Sequence, residues 1–139
     1  MKDFDIARAV YQRLEPALPG RVALGVLVLE PEDVAEPMTV IHLTDHDPEA
    51  KKGRAVRNDL TLLKVTTIVD AMRGEVYSRL EPHMGALRQA LFVDHNLGGV
   101  HHIIELNETG TQYRFNREEM TYVVDLAIEV KFRRRAEEP

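Results

Sequence analysis

The chain has 139 residues, 44% hydrophobic and 29% charged, with 8 Gly, 7 Pro and no Cys, which is the size and make-up of one folded domain around one core. Eighteen basic against 23 acidic residues, a formal charge of −5, oppose a role built mainly on neutralising phosphates, and the missing cysteine excludes disulfides, thiolate nucleophiles and Cys-ligated zinc. The opening residues MKDFD form no apolar leader and no run nears the roughly 18 apolar residues that span a bilayer, so the expectation is a protein kept in a cytosol unless a larger assembly carries it out.

Residues 3–18 place Ile6, Val10, Leu14 and Ala17 at helical spacing, with Asp3 or Asp5 as caps, and Pro19-Gly20 stops the helix. Residues 22–29 are a nearly unbroken Val and Leu run, expected as a strand covered on both faces. After Glu30 to Pro37 a second strand covers residues 39–44. Residues 45–57 read as a mobile polar loop holding Lys51, Lys52, Arg54 and Arg57; loops of this length are usually functional or disordered.

A third strand spans residues 58–69. Its apolar alternation slips from Leu60 and Leu62 to Leu63, Val65 and Val69, which predicts a bulge or strong twist near Leu62 or Leu63, or burial of both faces there. Residues 70–81 are weakly helical. Gly74 and Pro82 argue against one unbroken helix, so Pro82 is placed in the first turn of a helix to about Val93, with Met84, Leu87 and Leu91 buried. Asn96-Leu97-Gly98-Gly99 ends it, and residues 100–106 make a fourth strand with Val100, Ile104 and Leu106 on one face. Residues 107–112 read as a turn.

Residues 120–132 alternate without error. Met120, Tyr122, Val124, Leu126, Ile128, Val130 and Phe132 lie on one side, a period of two that only a strand satisfies. Thirteen residues at about 3.3 Å each run roughly 43 Å, more than twice the usual strand, so part of it is expected to need a partner outside its own fold. Residues 133–139 are a charged tail. The order helix, three strands, helix, two strands predicts a single α+β domain over residues 1–139: a mainly antiparallel sheet of four to five strands with two helices on one face.

Chemistry is hard to assemble from these residues. On a regular strand His42, Thr44 and His46 share a face while Asp45 and Asp47 lie opposite, and no third metal ligand has a known spacing. His101 and His102 point to opposite faces. There is no GxSxG, P-loop or GxGxxG, and no acid and base in opposed environments, so neither catalytic residues nor a cofactor or metal site are expected.

The second half resembles the tail terminator proteins of long-tailed bacteriophages, the family that includes the lambda-type minor tail protein U. The resemblance lies in an ordered set: the strand RNDLTLLKVTTIV, the helix PHMGALRQALFVD, the turn HNLGGVHHIIELNETG and the strand MTYVVDLAIEVKF, with Ala90, Leu91, Asp94, Leu97, Gly98, Gly99, Glu129, Val130 and Phe132 at the matching positions. It implies a non-enzymatic virion protein of the head-proximal tail end, assembled in the host cytoplasm. Its copies would form a ring, of six, that caps the tail tube and offers a docking surface to head completion proteins, with DNA only passing through the lumen. A head-tail adaptor of the neck is the alternative, and a small metal-binding or enzymatic α+β protein a more distant one.

Subunit contacts are expected at Lys51, Lys52, Arg54 and Arg57 and on the long strand at Val123, Ala127, Val130 and Phe132, with Phe132 also a core candidate. Asp94, Leu97, Gly98 and Gly99 are expected to shape the turn, one glycine adopting a left-handed conformation at the helix end.

Overall fold

The computed structural model describes residues 3–26, 28–47, 56–94, 96–100 and 102–135. Helix α1 (Asp3–Leu14) is followed by β1 (Val22–Leu24), a 3-10 turn (Pro31–Val34), β2 (Met38–Asp47), β3 (Val56–Asp70), α2 (Val76–Phe92), β4 (Ile103–Asn116) and β5 (Thr121–Arg135). The five strands form one sheet in the order β1-β2-β3-β5-β4, an α+β fold. The sheet is mixed: β1 runs parallel to β2 and every other pairing is antiparallel.

The alternation of β5 sets the two faces. Val124, Leu126, Ile128, Val130 and Phe132 join Leu63, Val65 and Val69 of β3 under Ile6, Val10 and Leu14 of α1 and Leu80, Leu87 and Leu91 of α2. Its length is met inside the chain: β3 pairs with it from Asp70↔Thr121 to Val56↔Arg135, and β4 from Asn116↔Thr121 to Ile103↔Phe132. β5 is therefore central, and the expected need for an outside partner gives way to a sheet whose β3, β4 and β5 are all long. Arg133–Arg135, expected in a loose tail, belong to the ladder with β3; residues 136–139 lie outside the described residues.

Several boundaries differ from the sequence expectation for physical reasons. α1 stops at Leu14 because Pro16 disfavours helical geometry at Glu15, although Leu18 still packs in the core. The run of residues 22–29 yields only three strand residues: Gly25 turns with φ 67°, and Val26 and Val28 leave the sheet exposed. This strap, described at residues 25–26 and 28–37, crosses the face opposite the helices, the return route a parallel β1–β2 pair requires. Its anchors are arginines. Arg21 donates to the carbonyls of Asp33 (2.5 Å), Glu36 (2.5 Å) and Pro37 (3.0 Å), and Arg79 to those of Asp70 (2.7 Å) and Ala35 (2.5 Å).

The loop of residues 45–57 shrinks at both ends, since residues 45–47 belong to β2 and 56–57 to β3. The irregularity forecast near Leu62 lies across the ladder from it: the register jumps from Leu43↔Leu63 to Asp45↔Leu62, so the extra residue is Thr44 of β2. β3 keeps one phase throughout, with Asp59 and Thr61 buried on its helix side beside Leu63, which is why its apolar pattern seemed to slip.

α2 begins at Val76, not at Pro82. Glu75 caps it, accepting from the amides of Tyr77 (3.0 Å) and Ser78 (3.3 Å) and from the Ser78 hydroxyl. Chiefly through that hydroxyl, the Glu75 carboxyl is held below its ordinary range. Pro82 sits on the exposed side of the helix interior. β4 starts later and runs further than expected, to Asn116, absorbing the supposed turn; an extra residue at Ile104 leaves Ile103, not Ile104, buried with Leu106.

Candidate functional site

Three polar assemblies tie the layers together. At one end of the sheet His46 lies between two carboxylates, Nδ1 2.7 Å from Asp3 Oδ1 and Nε2 3.0 Å from Asp59 Oδ2, while the Thr61 hydroxyl donates to Asp3 (2.5 Å). The bulge at Thr44 makes this possible by turning His46 to the helix side, opposite the face carrying His42. The expected His42-Thr44-His46 face is thereby broken, and Asp45 comes to share the His42 side. An imidazole donates at both nitrogens only with two protons, so an imidazolium between two carboxylates, or an imidazole beside one protonated carboxyl, satisfies the contacts. The His46 ring also meets Phe132 edge-on, centroids 6.2 Å apart.

In the middle, His83 of α2 reaches the sheet. Its Nε2 is 2.7 Å from Thr39 Oγ1, which is 2.8 Å from Thr67 Oγ1, all three buried. Burial, and secondarily the charge of Arg21, lower the His83 pKa from 6.5 to about 4. Beyond α2, Arg13 of α1 donates from Nε to the Ala90 carbonyl (2.8 Å) and from Nη2 to Asp94 (3.3 Å). The other Asp94 oxygen accepts from the amides of Asn96 (3.2 Å) and Gly98 (2.8 Å), and this network shapes the turn in which Leu97, Gly98 and Gly99 have φ of 55°, 80° and 106°.

Among the described residues no group of three or more His, Asp or Glu is placed to hold a metal ion. What the surface does offer is apolar. Between α2 and the outer strand β4 runs a groove lined by Tyr77, Leu80, Met84, Gly85, Arg88, Tyr113 and Tyr122. The Tyr77 and Tyr122 rings meet at 5.8 Å and 85°, and burial together with Tyr77 raises the Tyr122 pKa. Tyr77 is 65% exposed, Tyr113 58% and Phe115 47%. Four of the chain's eight aromatic residues thus gather at one margin. On the opposite face a cleft of about 640 Å³ opens beneath the strap, lined by Val26, Val28, Val34, Val40, Ile68 and Met72 among others.

No family model matches the chain, and no curated protein does. Among solved structures it is similar to a chain in "Virion of native gene transfer agent (GTA) particle", with 14% identity and a TM-score of 0.63, over 93% of this chain and 95% of that one. The likeness is one of fold.

The residues singled out from sequence are dispersed. Lys51, Lys52 and Arg54 lie outside the described residues; Arg57 stands in β3 opposite Arg134. Val130 and Phe132 have no exposed surface and Val123 almost none, so these three pack within the chain's own sheet, whereas Ala127 is half-buried on the face away from the helices. Tyr77, Tyr113 and Phe115 were missed, although Tyr113 and Phe115 stand two apart as same-face strand residues do. Asp59 and Arg13 carried no sequence signal, because their partners are 13 and 81 residues away.

Proposed function

We propose that this protein is a structural component of a phage-like particle, and within it the tail terminator: a ring of its own copies, hexameric, that caps the tail tube at the head-proximal end. The ring stops tube polymerisation and presents a different outer surface to the head completion protein. The observation that carries the reading is the fold shared with a virion chain over nearly the whole of both chains. The ordered resemblance of residues 57–134 to tail terminators agrees with it.

The physical logic is that a growing tube ends in an unsatisfied interface, which a ring of closed symmetry covers without propagating it. The exposed aromatic margin suits contact between proteins, because tyrosine and phenylalanine bury large area at small entropic cost. A net charge of −5 suits a lumen through which DNA passes without being held. The ring reading is tested by native mass spectrometry of the protein alone and mixed with tail tube subunits. Six copies are expected in at least one of the two conditions, and monomers in both would refute it.

A further inference from the structure

We infer that the cleft beneath the strap is a docking site for a different protein, which inserts an apolar segment flanked by lysine or arginine and sets a polar group of that segment against the Thr121 hydroxyl. The inference rests on the reading of this chain as a component that works among other proteins, and it is independent of the ring and its copy number.

Thr121 begins β5 on the side away from the helices, in alternation with Tyr122, and is 5% exposed. Its Oγ1 is buried and has no hydrogen-bond partner among the described residues. The Thr66 hydroxyl on the same face, by contrast, donates to Asp125 at 2.8 Å. A buried hydroxyl without a partner costs free energy in the isolated chain, and valine would fill the same space without that cost. Thr121 lines the cleft of about 640 Å³, so a polar group carried into the cleft reaches the hydroxyl and satisfies it.

The walls define the rest of the occupant. Val34 and Val40 are buried, whereas Val28 and Met72, which also line the cleft, are 77% and 71% exposed. A small molecule seated in the cleft would leave the outer sides of Val28 and Met72 in water. A protein segment extends past the cavity and covers them as well.

Charge sets the flanks. Glu30, Asp70 and Glu119 line the cleft, with no Lys or Arg beside them among the described residues. In the wider surroundings the strap carries Glu30, Glu32, Asp33 and Glu36, and Asp70, Glu118 and Glu119 lie across from it. Arg21, Arg73, Arg79 and Arg117 answer four of these seven carboxylates, which leaves an acidic excess that favours a basic partner.

A second copy of this chain does not supply that chemistry. Its exposed Tyr113 and Phe115 stand among Glu105, Glu108, Glu118 and Glu119, and the nearby Arg88 and Arg114 are paired with Glu108 and Asp125. Its exposed Phe4 lies between Asp3 and Asp5, and its exposed Val93 beside Asp94.

A library of random dodecapeptides displayed on yeast, panned on the purified parent protein, lets the cleft choose its own ligand. Enriched peptides are then measured against the parent, Val28→Asp and Thr121→Val at low and high salt. They are expected to carry an apolar core with Lys or Arg at its flanks, to bind each variant about tenfold more weakly, and to lose affinity as salt rises. Val28→Asp, an exposed change, is expected to keep the circular dichroism of the parent. Thr121→Val is expected to raise the melting temperature while weakening peptide binding, a combination that a packing role would not produce. Enrichment of acidic or uncharged peptides, no enrichment above an uncoated control, peptides that bind either variant as tightly as the parent, or a Thr121→Val chain that melts lower would each overturn the inference. All of these results leave the ring reading standing, and a protein that forms no ring leaves this inference standing.

Discussion

His83 and His46 are held by different partners. His83 is held neutral against two threonine hydroxyls, with a pKa of about 4 in the fold against 6.5 when unfolded. Between those values the unfolded chain binds more protons, so stability is full above about pH 6.5 and falls as the pH drops towards 4. At about 1.36 kcal/mol per unit the loss approaches roughly 3 kcal/mol. Denaturant titration of the parent and of His83→Gln at pH 6.5 and 5 checks this: the parent is expected to lose more stability over that interval than the variant. His46 instead stands between Asp3 and Asp59, and Asp59 is fully buried. Removing the imidazole takes a partner from two carboxylates, so His46→Ala is expected to lower the unfolding free energy by roughly 2–4 kcal/mol, measured at neutral pH. Phe132 supports the same ring and fills the core; Phe132→Ala is expected to cost about 3–5 kcal/mol in the same assay. The alternation that marked Phe132 as buried was legible because a period of two is local. The polar cluster was not, because the bulge that turns His46 inward depends on how β2 and β3 are paired, which no single strand records.

Elements show the same division. The apolar stripe Met84, Leu87 and Leu91 exposed the body of α2, but its start was hidden: Pro82 looks like a first-turn residue and Glu75 is an unusual cap. Pro82 lacks the amide that the Ser78 carbonyl needs within the helix. Pro82→Ala restores it, and thermal or denaturant unfolding is expected to show a gain of about 1–3 kcal/mol. At the other end of α2, Gly98 has φ 80°, and a Cβ there would lie 2.5 Å from Arg13 Nη1. Gly98→Ala therefore strains the backbone and displaces the guanidinium that holds Ala90 and Asp94. A lowered melting temperature is expected, with an intact far-ultraviolet spectrum because both helices are otherwise unchanged. The strap illustrates the converse limit of sequence reading: residues 22–29 have strand composition throughout, yet the strand is only Val22–Leu24, and after the left-handed turn at Gly25 Val26 and Val28 lie outside it.

On the scale of the whole molecule, the length of β5 first suggested a strand in search of a neighbour, and the sheet reassigns that role. β5 is satisfied on both sides over most of its course by strands nearly as long, which the interrupted patterns of β3 and β4 concealed. The outer edge of the sheet is β4, with Tyr113 and Phe115 exposed on it, while the strap with its exposed Val28 crosses the face opposite the helices. Element order, fold class and the central apolar face were readable from residue spacing, while the margins depend on strand order, a property of the assembled sheet. The most direct measurement is electron microscopy of tails assembled with and without this chain. Tails of defined length that join heads are expected only in its presence, with overlong tubes unable to join heads in its absence; tails of normal length competent for head joining without it would contradict the account.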